Sequence, residues 1–560
     1  MIKDNRLDRN YILQADIIDG LIPSIGVDDW QPLYISRYDS PDNFGLYCAL
    51  IEENDVADCL KSDRWDLHIG DGRPGFNQSF TGNRKKTKYY RYGGTTGVRP
   101  LVVSRHFHSA FPAYSELCEE FRHYHDLAHD SRRDLLLDFD SSGYEIIVVE
   151  IRPNLIRARL RYLRQFQAGT RLHLGIYIDS VRYSNVPLDQ IPSQRFDTVY
   201  RSEFAHYTRY INACDHIEKF ATFSRVIGKV LLAPPKLSRA GVWPFSVSDR
   251  DKEQEIFFIF GTDKEGQPVE YTSEPSKLAN YFGVNPNAPH YLTPIFFRKE
   301  VLSKYYADPD RYAISDGYLS CRSLWGCQID NNHSTHVVVF LGDLGRDLPL
   351  PERLHWKQFN VPPEGGVSET NFRRSFLAQW VGPSAPDLVF RREYRHLNEH
   401  WENAQGWRLF LPPGPGDEHL IETIRVPINN SQAELDTQAL NLSKLLVDSL
   451  NEKEIDKRAG KGERDEKGIT KFERFLKQTK FNGVSSVVQL FRNIQTLRST
   501  GSGHRKGADY EKILARLGAD ARDKPTLFKA LLEQTAAALA TLGQHYCPDY
   551  KPVRPTKQFE

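Results

Sequence analysis

The chain has 560 residues, 40% hydrophobic and 26% charged, a balance that fits a soluble globular protein of roughly three to four domains. Its 74 lysines and arginines offset 73 aspartates and glutamates, so the net charge of +1 draws the whole chain to neither nucleic acid nor membrane, and any such site must be a local patch. Seven cysteines without paired spacing exclude a disulfide scaffold and predict a cytoplasmic protein, and apolar runs such as Ile256 to Phe260 are too short to span a membrane.

Residues 1–115 are rich in Gly, Pro, Asp and aromatics, with short alternating stretches, and predict a β-rich region. Within it, Arg84, Lys85, Lys86 and Lys88 precede and interleave with Tyr89, Tyr90 and Tyr92. Cations for phosphates (Arg84, Lys85, Lys86, Lys88) and a ring for bases (Tyr90) suit single-stranded RNA, although a twisted hairpin with one polar face accounts for the same string. Gly93 to Gly97 are expected to form a turn, and no P-loop is present.

Tyr114 to Asp130 reads as a helix, on which His125 and His129 share a face at i, i+4, with His106, His108 and His123 nearby. The zincin pattern is absent, so a polar helix face is favoured over a metal site. Asp138, Asp140 and Glu150 sit around a predicted strand, Tyr144 to Ile151, and resemble a D…E-x-K metal-nuclease pattern with Arg152 in place of lysine. An ordinary charged β-hairpin is the favoured reading, and a metal-dependent DNA nuclease is kept as a second alternative.

Downstream, Leu155 to Ala168 predicts a helix and Arg171 to Tyr183 a strand. Further strands are expected at Phe196 to Arg201, Ile256 to Gly261 and Val337 to Leu341. Helices are expected at Lys277 to Phe282, Lys299 to Tyr306, Asn371 to Trp380 and Leu388 to Ala404. Cys321, Cys327, His333 and His336 lie within sixteen residues, but their spacing fits no standard zinc knuckle. They are weak metal candidates, with a packed or exposed loop expected instead, and no cofactor is predicted.

The character changes at Ser431. Ser431 and Glu434 have the spacing of a capping box, and Leu435, Ala439, Leu442, Leu446 and Leu450 form a helical stripe. Glu452 to Lys467 reads as a charged, flexible connector, followed by helices at Ile469 to Leu476, Val484 to Arg498 and Tyr510 to Leu517. A last helix opens at Pro525 and is expected to stop at Gly543. The expected fold is therefore a multi-domain α+β chain: a β-rich region over 1–115, a mixed α+β sensor or binding region over 116–430, and an all-α bundle over 431–560.

Val484, Val487, Val488, Phe491 and Ile494 occupy one helix face, and Arg498 continues it. A guanidinium facing a core must be hydrogen-bonded, or it costs several kcal/mol. Gly501 and Gly503 are expected to break the helix before His504. Together these residues form an R-x5-H string at a helix–helix junction, followed by Arg505 and Lys506. The last 130 residues thereby resemble the HEPN superfamily, helical bundles that carry an R-x4-6-H motif at such a junction. Ser499 stands where that family often has Asn, Asp or His.

The resemblance implies a metal-independent endoribonuclease in which the ribose 2′-OH attacks the adjacent phosphate. His504 would move protons and Arg498 would stabilise the phosphoryl charge. Arg505 and Lys506 would contact RNA phosphates, while Ser499 and Ser502 would orient the histidine or bind phosphate. One motif per chain implies a homodimer or higher homo-oligomer, and the layout resembles anti-phage or toxin-like stress effectors whose N-terminal sensor answers a phage-derived or nucleic-acid trigger. The alternative is a non-catalytic protein that binds nucleic acid or a phage component and whose bundle only dimerises.

Overall fold

Buried and less buried residues alternate over Trp30–Ser36, where Gln31, Leu33 and Ile35 point inward, as expected of a strand with one covered face. In the computed structural model this segment lies inside an eleven-stranded antiparallel sheet. The structure describes residues 7–39, 41–61, 74–82, 84–91, 98–105, 107, 109–191, 197–241, 254–460, 462–463, 466–502 and 523–553. The architecture is mixed α/β, with a large sheet-rich N-terminal portion and a helical C-terminal region.

The chain divides into two compact units. One comprises residues 1–140 and 144–252, the other residues 141–143 and 253–560. The sheet of the first unit contains β1 (Trp30–Asp39), β2 (Asp42–Ile51), β3 (Val98–Pro100), β4 (Ala128–Asp130), β5 (Leu135–Phe139), β6 (Glu145–Arg152), β7 (Leu155–Arg159), β8 (His173–Ser184), β9 (Thr198–Arg201), β10 (Ala205–Ala213) and β11 (Thr222–Leu232). Their order is β9-β10-β11-β8-β2-β1-β7-β6-β5-β4, with β3 added to the end of β2. Strands from both sides of residue 115 share this sheet, so the expected boundary there is not a structural one.

Within this unit two local expectations change for physical reasons. Leu155-Ile156-Arg157-Ala158-Arg159 alternates in and out and pairs with β1 and β6, so helix α1 begins only at Leu160 and runs to Thr170. Tyr162, Leu163 and Phe166 on α1 join the sheet core with Leu46, Leu50 and Leu174. The helix expected over Tyr114 to Asp130 is shortened to Glu119–Tyr124, because Asp126 takes φ +51° and the chain then enters β4. His129 thus lies on a strand, and the i, i+4 histidine pair does not form; His106 and His108 lie outside the described residues.

His125 instead packs among the rings of Phe121, Tyr124 and Tyr162, and its Nε2 donates to the Tyr162 carbonyl at 2.9 Å. Burial lowers its pKa to about 4. The folded value lies below the unfolded one, so its contribution is complete above the unfolded pKa and is lost as pH falls towards the folded one. Lowering the pH from 7 to 5 is expected to remove about 2 kcal/mol through this group. Urea unfolding of a His125→Gln variant should show a correspondingly smaller difference between those two pH values.

The second unit opens with three small antiparallel sheets. Phe257–Thr262 pairs with Pro268–Thr272; His336–Phe340, Pro294–Arg298 and Asn360–Val361 form a second sheet; Tyr312–Ser315, Tyr318–Cys321 and Trp325–Gln328 form the third. Their core is aromatic and aliphatic, including Phe258, Phe297, Tyr305, Val339 and Trp356. A buried carboxylate is fully satisfied there: Glu352 accepts from Lys304 Nζ at 2.6 Å and Tyr305 Oη at 2.6 Å. The helix Leu341–Asp347 passes so close to the preceding loop that a Cβ on Gly345 would lie 1.8 Å from the Ser273 carbonyl oxygen. Gly345→Ala is therefore expected to destabilise this unit by about 2–3 kcal/mol, measured as a lower urea midpoint with an unchanged slope.

The helical region comprises α2 (Pro386–Gln405), α3 (Gln432–Ser443), α4 (Glu452–Ala459), α5 (Gly468–Gln478), α6 (Val484–Ser502) and α7 (Lys524–Tyr546). It begins earlier than residue 431. Phe390, Leu397 and Trp401 of α2 belong to the same core as Leu435, Phe472, Phe491 and Leu539, and α2 packs against α7. The expected flexible connector is in part α4, whose Asn451 side chain caps the Glu454 N–H. The expected capping box does not close: Ser431 makes no side-chain cap bond, and Glu434 pairs with Arg425 at 2.9 Å. Gly543 does not stop α7; it leaves room for the Tyr550 ring, which a Cβ would meet at 2.4 Å. The segment 510–517 lies outside the described residues.

Candidate functional site

Helix α6 carries the apolar stripe that the sequence predicts. Val487, Val488, Phe491 and Ile494 are buried, and the stripe ends on Leu497. Arg498, one position further, lies at the rim of the core with its side chain 35% exposed. Its Nη1 donates to both carboxylate oxygens of Asp448, at 2.7 Å to Oδ1, and reaches Ser443 Oγ at 3.5 Å. The guanidinium is thus held by charge as the sequence demands, but at a border open to water.

Asp448 and Ser443 have a shared local cause. Helix α3 ends at Ser443 and continues as a π-helical turn over Lys444–Asp448. A π turn closes on i→i+5, so residues five apart come to one face. Ser443 and Asp448 therefore both face Arg498, while Leu445, Leu446 and Val447 remain buried. Neither residue stands out in the sequence, because the stripe from Leu435 to Leu450 reads as one continuous α-helix.

The helix expected to break at Gly501 runs to Ser502. Ser499 and Ser502 sit on its last turn, with side chains outside the described residues; His504, Arg505 and Lys506 also lie outside them.

The other candidates separate. Pro74–Thr81 and Arg84–Arg91 form a two-stranded ribbon in which Arg84 opposes Thr81, Lys85 opposes Phe80 and Lys86 opposes Ser79. Arg84, Lys85 and Lys86 are exposed, as is Phe80. Lys88 and Tyr90 lie on the same strand, their side chains outside the described residues.

The metal candidates are not assembled. Cys321 and Cys327 are fully buried in the apolar core, where burial pushes the Cys327 thiol far above its ordinary range. His333 Nδ1 accepts the His336 backbone N–H at 3.0 Å, and His336 Nδ1 lies 2.9 Å from Thr335 Oγ1. Apolar packing takes the two sulfurs, and local turns take the two imidazoles.

The carboxylates of the metal-nuclease alternative are likewise committed. Asp138 accepts from Tyr162 Oη at 2.6 Å, Asp140 from the Tyr144 N–H at 3.0 Å, and Glu150 from both forks of Arg157 at 3.0 Å. Asp138 pairs in register with Ile146 and Glu150 with Leu135, so the two acids occupy opposite ends of the β5–β6 pair. Among the described residues no group of three or more His, Cys, Asp or Glu is placed to hold a metal ion. No helix there is long and apolar enough to cross a membrane.

Comparison with protein-family models, curated proteins and solved structures found no match to this chain.

Proposed function

We propose that the chain is a metal-independent endoribonuclease with its reacting centre at the end of α6. The observation that carries this reading is the setting of Arg498: a guanidinium oriented by Asp448, half-exposed at the rim of a helical bundle, six residues before His504. Such a group is preorganised to meet negative charge building on a phosphoryl oxygen. A histidine close in the chain supplies proton transfer near neutral pH. The ribose 2′-OH then attacks the adjacent phosphate, and no metal is required.

In this reading the site is completed across a homodimer, each copy contributing one Arg498–His504 pair, and the protein acts in the cytoplasm as a HEPN-type effector in anti-phage defence or a toxin-like stress response. The sheet-rich portion is the sensor for a phage-derived or nucleic-acid trigger. The exposed cations Arg84, Lys85 and Lys86, with Lys88 and Tyr90, bind RNA, and Ser499, Ser502, Arg505 and Lys506 line its path.

The test is RNA cleavage by the full chain in EDTA, together with its mass in solution. Cleavage that persists in EDTA and disappears in both Arg498→Ala and His504→Ala supports the proposal. Cleavage that needs a divalent ion and ignores both substitutions overturns it. A stable dimer without cleavage favours the non-catalytic binding protein.

A further inference from the structure

The second unit contains a cavity of about 570 Å³ that the ribonuclease reading does not use. Its walls come from several parts of the chain: the turn at Lys299, the loop 331–335, the start of α2, the segment 425–428 and the first turns of α7. Five charged side chains line it, Lys299, Asp387, Arg425, Lys529 and Glu533.

Among the described residues no hydrogen bond or ion pair joins these side chains to one another. Lys299 Nζ donates to the Ser334 carbonyl at 2.8 Å. Asp387, Lys529 and Glu533 have no hydrogen bond or ion pair among the described residues. Burial pulls the Lys299 ammonium below the usual lysine range; Asp387 opposes this, and the nearby charge of Lys529 adds to it. Two ammonium groups and two carboxylates thus line one cavity, a pattern matched by a ligand that carries an anion for the lysines and hydrogen-bond donors for the acids.

The remaining wall has a different chemistry. The Arg425 guanidinium lies over the Tyr306 ring at 4.6 Å, and its Nη2 is tied to Glu434. Together they make a flat, partly apolar surface, flanked by Val426 and Ile428. A cavity of this size takes a ligand larger than a free phosphate or a small amino acid.

From this geometry we infer that the cavity is a binding site for a nucleoside phosphate. The phosphate lies between Lys299 and Lys529, the ribose hydroxyls or exocyclic amines donate to Asp387 and Glu533, and the base lies against the Tyr306–Arg425 wall. A ligand with only one of these parts leaves the other charges unmatched. The site is separate from Arg498, and its test reads binding rather than cleavage, so it stands or falls independently of the ribonuclease proposal.

The experiment is isothermal titration of the full chain with AMP, GMP, adenosine and inorganic phosphate. One of the two nucleotides is expected to bind below about 1 mM, with adenosine and phosphate each at least about tenfold weaker. Lys529→Gln and Lys299→Gln are each expected to weaken nucleotide binding about tenfold, and Asp387→Asn to weaken it less. Lys529 is exposed on α7 and its change should leave the unfolding midpoint in place, so loss of binding there is not loss of fold. The inference is overturned if neither nucleotide binds, if phosphate alone binds as tightly, or if Lys529→Gln binds as the unaltered chain does.

Discussion

Alanine at position 498 is expected to lower RNA cleavage by about 10²–10³-fold, the usual loss when one preorganised donor to a developing oxyanion is removed. The same change should cost no more than about 1 kcal/mol of stability, because the Arg498–Asp448 pair is exposed on both sides, 35% and 42%. Activity and stability thus separate, which a purely structural arginine would not allow. Arg498→Lys keeps the charge but loses the planar fork and should recover only part of the rate.

Asp448 is a positioning residue in this scheme. Asp448→Ala should reduce cleavage by about 10–100-fold through misplacement of the guanidinium. In an Arg498→Ala background the same change should have no further effect, since its only route to the reaction has gone. Single-turnover cleavage rates of the two single variants and the double variant form the required cycle. Additive losses would show that Asp448 acts by another path.

Trp401→Ala is expected to destabilise the helical region by about 3–5 kcal/mol. Trp401 is fully buried, with ring centroids 5.5 Å from Trp407 and 4.6 Å from Tyr546. It lies on α2, thirty residues before the Ser431 boundary that composition suggests, yet it fills the same core as Phe475 and Leu539. A fragment beginning at residue 431 would leave that surface uncovered. It is expected to bind a hydrophobic dye and to lack a cooperative urea transition, whereas a fragment beginning at residue 386 would retain the α2 face. Near-UV circular dichroism of Trp401→Ala in the full chain should report the lost aromatic packing directly.

Periodicity was enough where one element meets one core. The strand near Ile146 to Ile151 could be read from its apolar run, and the stripes of α3 and α6 from spacing, because each helix buries a single face. It was insufficient where tertiary partners decide. Leu155 to Arg159 holds basic residues that suit either a helix or an alternating strand, and pairing with β1 and β6 selects the strand. Glu434 had two possible partners, its own helix start and Arg425, and it takes the arginine. Of the candidate site, the need for a hydrogen-bonded partner at Arg498 was legible, whereas the partner's identity was not. Asp448 lies fifty positions earlier on a face that only a π turn creates.

That turn has a consequence for how variation acts on the site. An α-helix rotates about 100° per residue, so one extra residue shifts the phase of everything after it. Across Lys444–Asp448 the helical segment leaves the frame of the α-helix before it, and this offset aims the carboxylate at Arg498. Deleting a single residue there would let the segment close into an ordinary helix, keep its composition almost intact and swing Asp448 aside. Part of the site is therefore encoded as a count of residues rather than as their identities, and a change of spacing can dismantle it where many substitutions would not.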